Sequence, residues 1–301
     1  MAESPTHKWG QIIGSEFLEV AIAPLLRETA KRHALYLDVK GPRPARTGKK
    51  ISWQDLYGNA HDLDFVFERG GTDDKLGDPV AFIETAWRRY TKHSRNKAQE
   101  IQGAVLPLVT THQRYAPFIG VIVAGEWTGG AITQLHSLGF RVLYFSYDAI
   151  VKAFKTVGID AGFDEDTPDD DCKKKIKAWE RLGADVKAQL AKSLLDANTQ
   201  DVKAFMEKLE KAVTRQIEVI RVLPLHGIAV EATTVEGAIE TIEGYDETTP
   251  AAKPVARYEI QIKYNNGDSI NAVYASKEDA IAFLRSFMPA VLPVNAVKKD
   301  E

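Results

Sequence analysis

Apolar residues recur at three- and four-residue spacing over positions 9–33, where Ile12, Ile13, Phe17, Val20, Ala21, Leu25 and Leu26 share a stripe. That periodicity predicts a helix, which Pro24 should kink or split. Residues 34–57 mix short apolar runs with GPRPARTGKK and read as a loop by their Gly and Pro content. HDLDFVFERGG then alternates, with Leu63, Phe65 and Phe67 set against Asp62, Asp64, Val66 and Glu68. This is the period of a strand. VAFIETAW predicts a second strand, buried because both of its faces are apolar. Helical spacing resumes from about Asn96 to Leu108, FIGVIVAGEW (118–127) predicts another buried strand, and 131–138 a helix. RVLYFSY and YDAIVKAFKTVG predict a strand and a helix ended by Gly. The order strand, strand, helix, strand, helix, strand, helix implies an α/β fold with a central mixed sheet flanked by helices.

Past that point the pattern changes. DAGFDEDTPDDD (160–171) is acidic and turn-rich and reads as a surface linker. Residues 173–221 are strongly helical, and Val202, Phe205, Met206, Leu209, Val213, Ile217 and Ile220 form one stripe of the second stretch. ETTPAAKP (247–254) has the composition of a linker. Beyond it, Asn-Asn-Gly-Asp between two alternating runs signals a hairpin, and Ser276 followed by Glu278 and Asp279 signals a helix start. The expected organisation is a core over 1–159, a mainly helical region over 160–246 and a small ββα unit over 255–290. No internal repeat is evident.

Composition narrows the function. The chain has 301 residues, 44% hydrophobic and 27% charged, as a soluble globular protein does. Its apolar runs fall short of the roughly 20 residues that span a bilayer, so no membrane partner is expected. The first ten residues lack a secretory pattern. The single Cys172 excludes a disulfide framework and a multi-cysteine zinc site. A cytoplasmic, reducing setting is the expectation. A net charge of −3 does not advertise nucleic acid, but the charge is unevenly spread.

The candidate chemistry lies between Asp62 and Leu108. Asp64 sits among aromatics, and Glu84 follows twenty positions later on the buried strand VAFIETAW. Burying ionised carboxylates is costly, and two on adjacent strands repel. A divalent cation relieves both problems, and hard oxygen ligands suit Mg²⁺, which also takes substrate phosphate oxygens. The segment after Glu84, WRRYTKHSRNK, carries Arg88, Arg89, Lys92, Arg95 and Lys97 without an acid. A second cationic stretch, Lys40, Arg43, Arg46, Lys49 and Lys50, precedes the Asp64 strand. Cationic runs beside a carboxylate pair suit a phosphate backbone, and make Arg43, Lys49, Lys50, Arg88, Arg89, Lys92 and Arg95 candidate contacts to double-stranded DNA.

The arrangement Asp64, Glu84, basic turn, helix resembles the PD-(D/E)xK nuclease superfamily, most closely the type II restriction endonucleases. The resemblance covers about residues 9–155. It implies a restriction-endonuclease-like core and a Mg²⁺-dependent DNA endonuclease. Asp64 and Glu84 would hold the metal, a water would attack phosphorus in line, and a lysine would offset the developing charge. Glu19, on the helix that opens the core, Asp62 and Glu100 would be accessory acids. One departure stands out. The family's lysine two residues past the Glu is here Ala86, so the role passes to a basic residue from a neighbouring element, Lys97 first. That departure also leaves open a catalytically silent DNA-binding protein of the same fold. A structure-selective repair nuclease is a further alternative. Cutting both strands of a palindromic site calls for two related active sites, hence a homodimer.

Overall fold

The computed structural model describes residues 4–224, 228–246 and 257–288. The expected linker 247–254 lies outside the described residues. The chain forms two compact units, 1–214 and 215–301.

The first unit is built on a five-stranded sheet. Its strands are β1 (Leu35–Val39), β4 (Phe65–Arg69), β5 (Asp78–Arg88), β6 (Phe118–Gly125) and β7 (Arg141–Ser146), in the order β1-β4-β5-β6-β7. β1, β4 and β5 pair antiparallel, while β6 and β7 run parallel to β5, so the sheet is mixed, as expected. A separate two-stranded hairpin, β2 (Ile51–Gln54) and β3 (Ala60–Leu63), leads directly into β4. On one side the core joins β-strand residues such as Phe65, Phe67 and Ile83 to α2 (Leu18–Arg32), α5 (Tyr147–Lys155) and the later helices. On the other, Val66, Phe82 and Ala86 pack against α3 (Ser94–Thr111) and α4 (Gly129–Ser137).

Several expectations are corrected. Residues 34–57 are not all loop, because β1 forms the sheet edge and β2 half of the hairpin. Polar Asp38 on β1 concealed it: the side chain is buried, but only because arginines neutralise it. Pro24 does not break the first helix. It lies inside α2, whereas the irregularity is a π-helical turn at Ile12–Phe17, between α1 (Pro5–Gln11) and α2. That turn packs on β5 through Gly14, where an added Cβ would fall 2.6 Å from the Trp87 Cβ. The alternation of 61–68 is also not one strand. The chain bends at Asp64, and Leu63 packs with Val66 instead of with Phe65 and Phe67.

The expected helical region is not a region of its own. α6 (Asp169–Glu180), α7 (Ala184–Ala197) and α8 (Thr199–Val213) cover the same core as α2 and α5. Trp179 packs on Phe17 and Phe154 (ring centroids 6.2 and 5.8 Å), and Phe205 packs on Phe118 (5.7 Å). The apolar stripe of α8 is therefore spent within the chain, not held out for a second copy. Residues 160–163 are likewise no linker. Trp9 Nε1 donates to the Ala161 carbonyl, and Lys175 Nζ donates to those of Asp160 and Gly162.

The second unit begins where the helix was expected to continue. Ile217 and Ile220 lie on β8 (Ile217–Pro224), followed by β9 (Val230–Ala232), α9 (Val235–Glu243), β10 (Tyr258–Tyr264), β11 (Ser269–Tyr274) and α10 (Lys277–Arg285). The sheet order is β11-β10-β8-β9, antiparallel throughout. The expected terminal ββα unit is thus one of two. Thr234 and Ser276 cap the two helices alike, accepting from Gly237 N and Asp279 N. Glu236, Ala238, Ile239 and Ile242 match Glu278, Ala280, Ile281 and Leu284 position for position. Among the described residues no helix is long and apolar enough to cross a membrane.

Candidate active site

β4 and β5 bring Asp64 and Glu84 together. Asp64 occupies the bend before β4, and Glu84 sits near the C-terminal end of β5, 8% exposed. The joint between them is specific. Glu84 Oε1 accepts from the Asp64 backbone N–H at 3.2 Å. Asp64 Oδ2 in turn accepts from both the N–H and the hydroxyl of Thr85, each at 2.7 Å. Two donors on one oxygen fix the Asp64 rotamer and leave Oδ1 outside these contacts. Burial, then the negative charge of Asp64, raise the Glu84 pKa well above its ordinary value, while Lys97 pulls the other way. Burial and Asp64 also raise Glu19. Three acids, Glu19, Asp64 and Glu84, therefore share one electrostatic environment.

Mg²⁺ needs only one or two carboxylates beside water and substrate oxygens. Asp64 and Glu84 supply that number of hard donors, in a place where their mutual repulsion calls for a cation. Among the described residues no group of three or more His, Cys, Asp or Glu is disposed to hold a metal.

Ala86 is 4% exposed in the core beside α3, so a lysine there would have no room. Lys97, one turn into α3, is partly buried, acts on Glu84 through its charge, and pairs with Glu100 at 3.1 Å. Arg88 lies 3.7 Å from the same Glu100 carboxylate and is half-buried. Glu100 thus orients the two cations.

The other cations divide. Arg43 is corrected: it is not on the surface. Its side chain is 3% exposed, bonds both carboxylate oxygens of Glu68, lies 2.9 Å from Asp38, and donates to the carbonyls of Thr72 and Lys75. Arg89 is also held inside the fold, donating to the Phe163 carbonyl with its guanidinium 4.1 Å from the Tyr147 ring centroid. Lys50 pairs with Asp62 (2.5 Å) and Lys92 with Glu165 (3.0 Å), all on the surface. Asp62 is thereby drawn to Lys50 and not to the Asp64–Glu84 joint. Lys49 and Arg95 are exposed.

Sequence reasoning passed over two features. Thr85 lies between Glu84 and Ala86 on VAFIETAW, yet its role depends on backbone proximity to the bend at Asp64. Arg27 lies on the α2 stripe Glu19, Val20, Ala23, Pro24, Arg27. With Val39, Lys40, Asp64 and Phe65, that stripe lines a cleft of about 340 Å³. Comparison of the chain with protein-family models, with curated proteins and with solved structures finds no match in any of the three.

Proposed function

We propose that the first unit is a PD-(D/E)xK-type, Mg²⁺-dependent DNA endonuclease, with type II restriction as its role and a homodimer as its working form. The observation that carries this reading is the Asp64–Thr85–Glu84 joint with the charge of Lys97 acting on it. Holding the buried Glu84 carboxylate against the half-buried Asp64 is unfavourable in a protein that has no use for a cation there. Asp64 and Glu84 would hold the metal, which would supply positive charge and a more acidic water. Thr85 holds Asp64 in one orientation. Glu84 keeps its place by accepting from the Asp64 amide. Lys97 supplies a mobile ammonium that can hold a water or meet negative charge building on a phosphoryl oxygen, which a guanidinium, permanently protonated, does less well as a proton donor.

Ala86 favours a second reading, a silent DNA-binding protein that keeps the acid pair but not the chemistry. Incubation of the protein with plasmid or phage DNA and Mg²⁺ separates the two. Discrete fragments, abolished by Asp64→Asn and by Glu84→Gln, support the restriction reading. Nicking confined to branched or distorted DNA indicates a repair nuclease. Binding without cleavage, unchanged in both variants, refutes the nuclease reading.

A further inference from the structure

Resting on the nuclease reading, we infer that the cleft between α2 and the ends of β1 and β4 is the path of a DNA strand. Arg27 and Lys40 clasp a backbone phosphate next to the one cleaved at Asp64.

The geometry begins with register. β1 and β4 pair antiparallel, the ladder ends with Val39 opposite Phe65, and the next residue on each side, Lys40 and Asp64, lines the cleft. α2 closes the other side of the cleft, and Arg27 is two turns beyond Glu19 on the same stripe. The cleft therefore runs from acids at one end to Arg27 along one wall, with Lys40 on the other, over a volume of about 340 Å³. Phosphates along a strand follow one another at short, regular spacing, so a strand with one phosphate at Asp64 must place its neighbours nearby.

The charge census gives the second argument. Of the cations near the acid pair, Arg43, Arg46, Arg88 and Arg89 donate to protein carboxylates or carbonyls. Lys50, Lys92 and Lys97 sit in ion pairs. Arg27 and Lys40 are both exposed on the walls of the cleft, and among the described residues neither side chain has an ion pair or a hydrogen bond; Lys49 and Arg95 are exposed and uncommitted as well but do not line it. Lys40 lowers the Glu19 pKa through space, which places its charge within reach of the acids without a bond to them. Cations left uncommitted on the walls of a cleft have their full donor capacity available for an anion. The acids at its end exclude a free anion but not one tied to a strand whose next phosphate is neutralised by a metal. Shape, sign and continuity with Asp64 all fit a polyanionic strand better than a small anion.

The experiment measures equilibrium binding of the full chain to a short random-sequence DNA duplex, with Ca²⁺ in place of Mg²⁺, across a range of salt concentrations. Each phosphate neutralised contributes about 0.9 to the slope of log K against log salt. Arg27→Ala/Lys40→Ala, which releases the one phosphate the two residues share, should weaken binding roughly ten-fold or more and lower that slope by about 0.9. Arg27→Lys/Lys40→Arg, which keeps both charges, should retain the slope, and this shows that loss in the alanine variant is not misfolding. Lys50→Ala/Lys92→Ala, whose charges are matched inside the protein, should change the slope by less than half as much. An unchanged slope in Arg27→Ala/Lys40→Ala, with cleavage intact in the wild type, overturns the strand path and leaves the nuclease reading standing. A wild type that neither binds nor cuts DNA overturns both.

Discussion

Glu84→Gln is the sharpest perturbation, because it should raise stability and abolish activity together. The amide is isosteric with the carboxyl, and its oxygen can still accept the Asp64 N–H that now reaches Glu84 at 3.2 Å. What disappears is a buried charge beside another acid. Burial and Asp64 raise the Glu84 pKa in the folded chain. The folded state then binds the proton more tightly than the unfolded one. Its contribution is fully present below the ordinary value of 4.5 and is lost as pH rises through the folded value. Neutral pH lies about 2.5 units above that ordinary value, so at about 1.36 kcal/mol per unit the penalty is capped near 3.4 kcal/mol. A gain of about 1–3 kcal/mol in the variant corresponds to roughly 3–10 °C in Tm for a unit of this size.

Thermal unfolding in EDTA at neutral pH measures the gain, and a repeat near pH 5 should show it shrink, since so close to the ordinary value of 4.5 little free energy is needed to protonate Glu84 on folding. Millimolar Mg²⁺ should narrow or reverse the difference, because an ion that binds the folded wild type stabilises it by mass action and has lost a ligand in the variant. Plasmid cleavage by the variant should be undetectable. A variant less stable than the wild type in EDTA would refute the claim that Glu84 is held at a cost. Retained cleavage would refute its role in the reaction.

Arg43→Ala should cost about 3–5 kcal/mol by stranding Asp38 and Glu68 as buried charges, visible as a Tm loss of roughly 6–20 °C that diminishes at acid pH as they protonate. Thr85→Val removes the hydroxyl donor to Asp64 and should lower metal affinity or activity about 10- to 100-fold, while Thr85→Ser restores most of it; titrating cleavage against Mg²⁺ separates the two parameters. Lys97→Met should reduce kcat about 100- to 1,000-fold with little change in duplex affinity, as single-turnover cleavage and equilibrium binding would show.

The order of strands and helices around β5 was legible because each element is either a short unbroken apolar run, as β5 and β6 are, or carries a period of two or of 3.6 residues. Where burial rested on ion pairing, the period vanished. Asp38 and Glu68 are polar letters at core positions, and Arg43, in a segment composed like a surface loop, is their counter-ion. Two acids at inward-facing strand positions were the available signal that a counter-ion must be drawn in. The second unit failed to show as a repeat for a different reason. Its helices match closely, but β9 has three residues where β11 has six, so the strands carry no common spacing.

The site itself was legible as residue types and not as directions. Asp64 and Glu84 were conspicuous because acids are rare among buried aromatics and aliphatics. That Asp64 falls on a bend depends on the hairpin β2–β3 turning away from the sheet, and no local pattern marks it. The alanine at position 86 follows from the same limit. Position 86 faces the packed side of β5, where α3 lies close enough to bury an alanine. A lysine at 86 would push that helix off the sheet, whereas a lysine on the helix itself brings an ammonium near Glu84 without opening the core. On the nuclease reading the charge can therefore leave the strand while the place it serves stays put, and what that reading requires is an ammonium within electrostatic reach of Glu84, not a letter two positions after it.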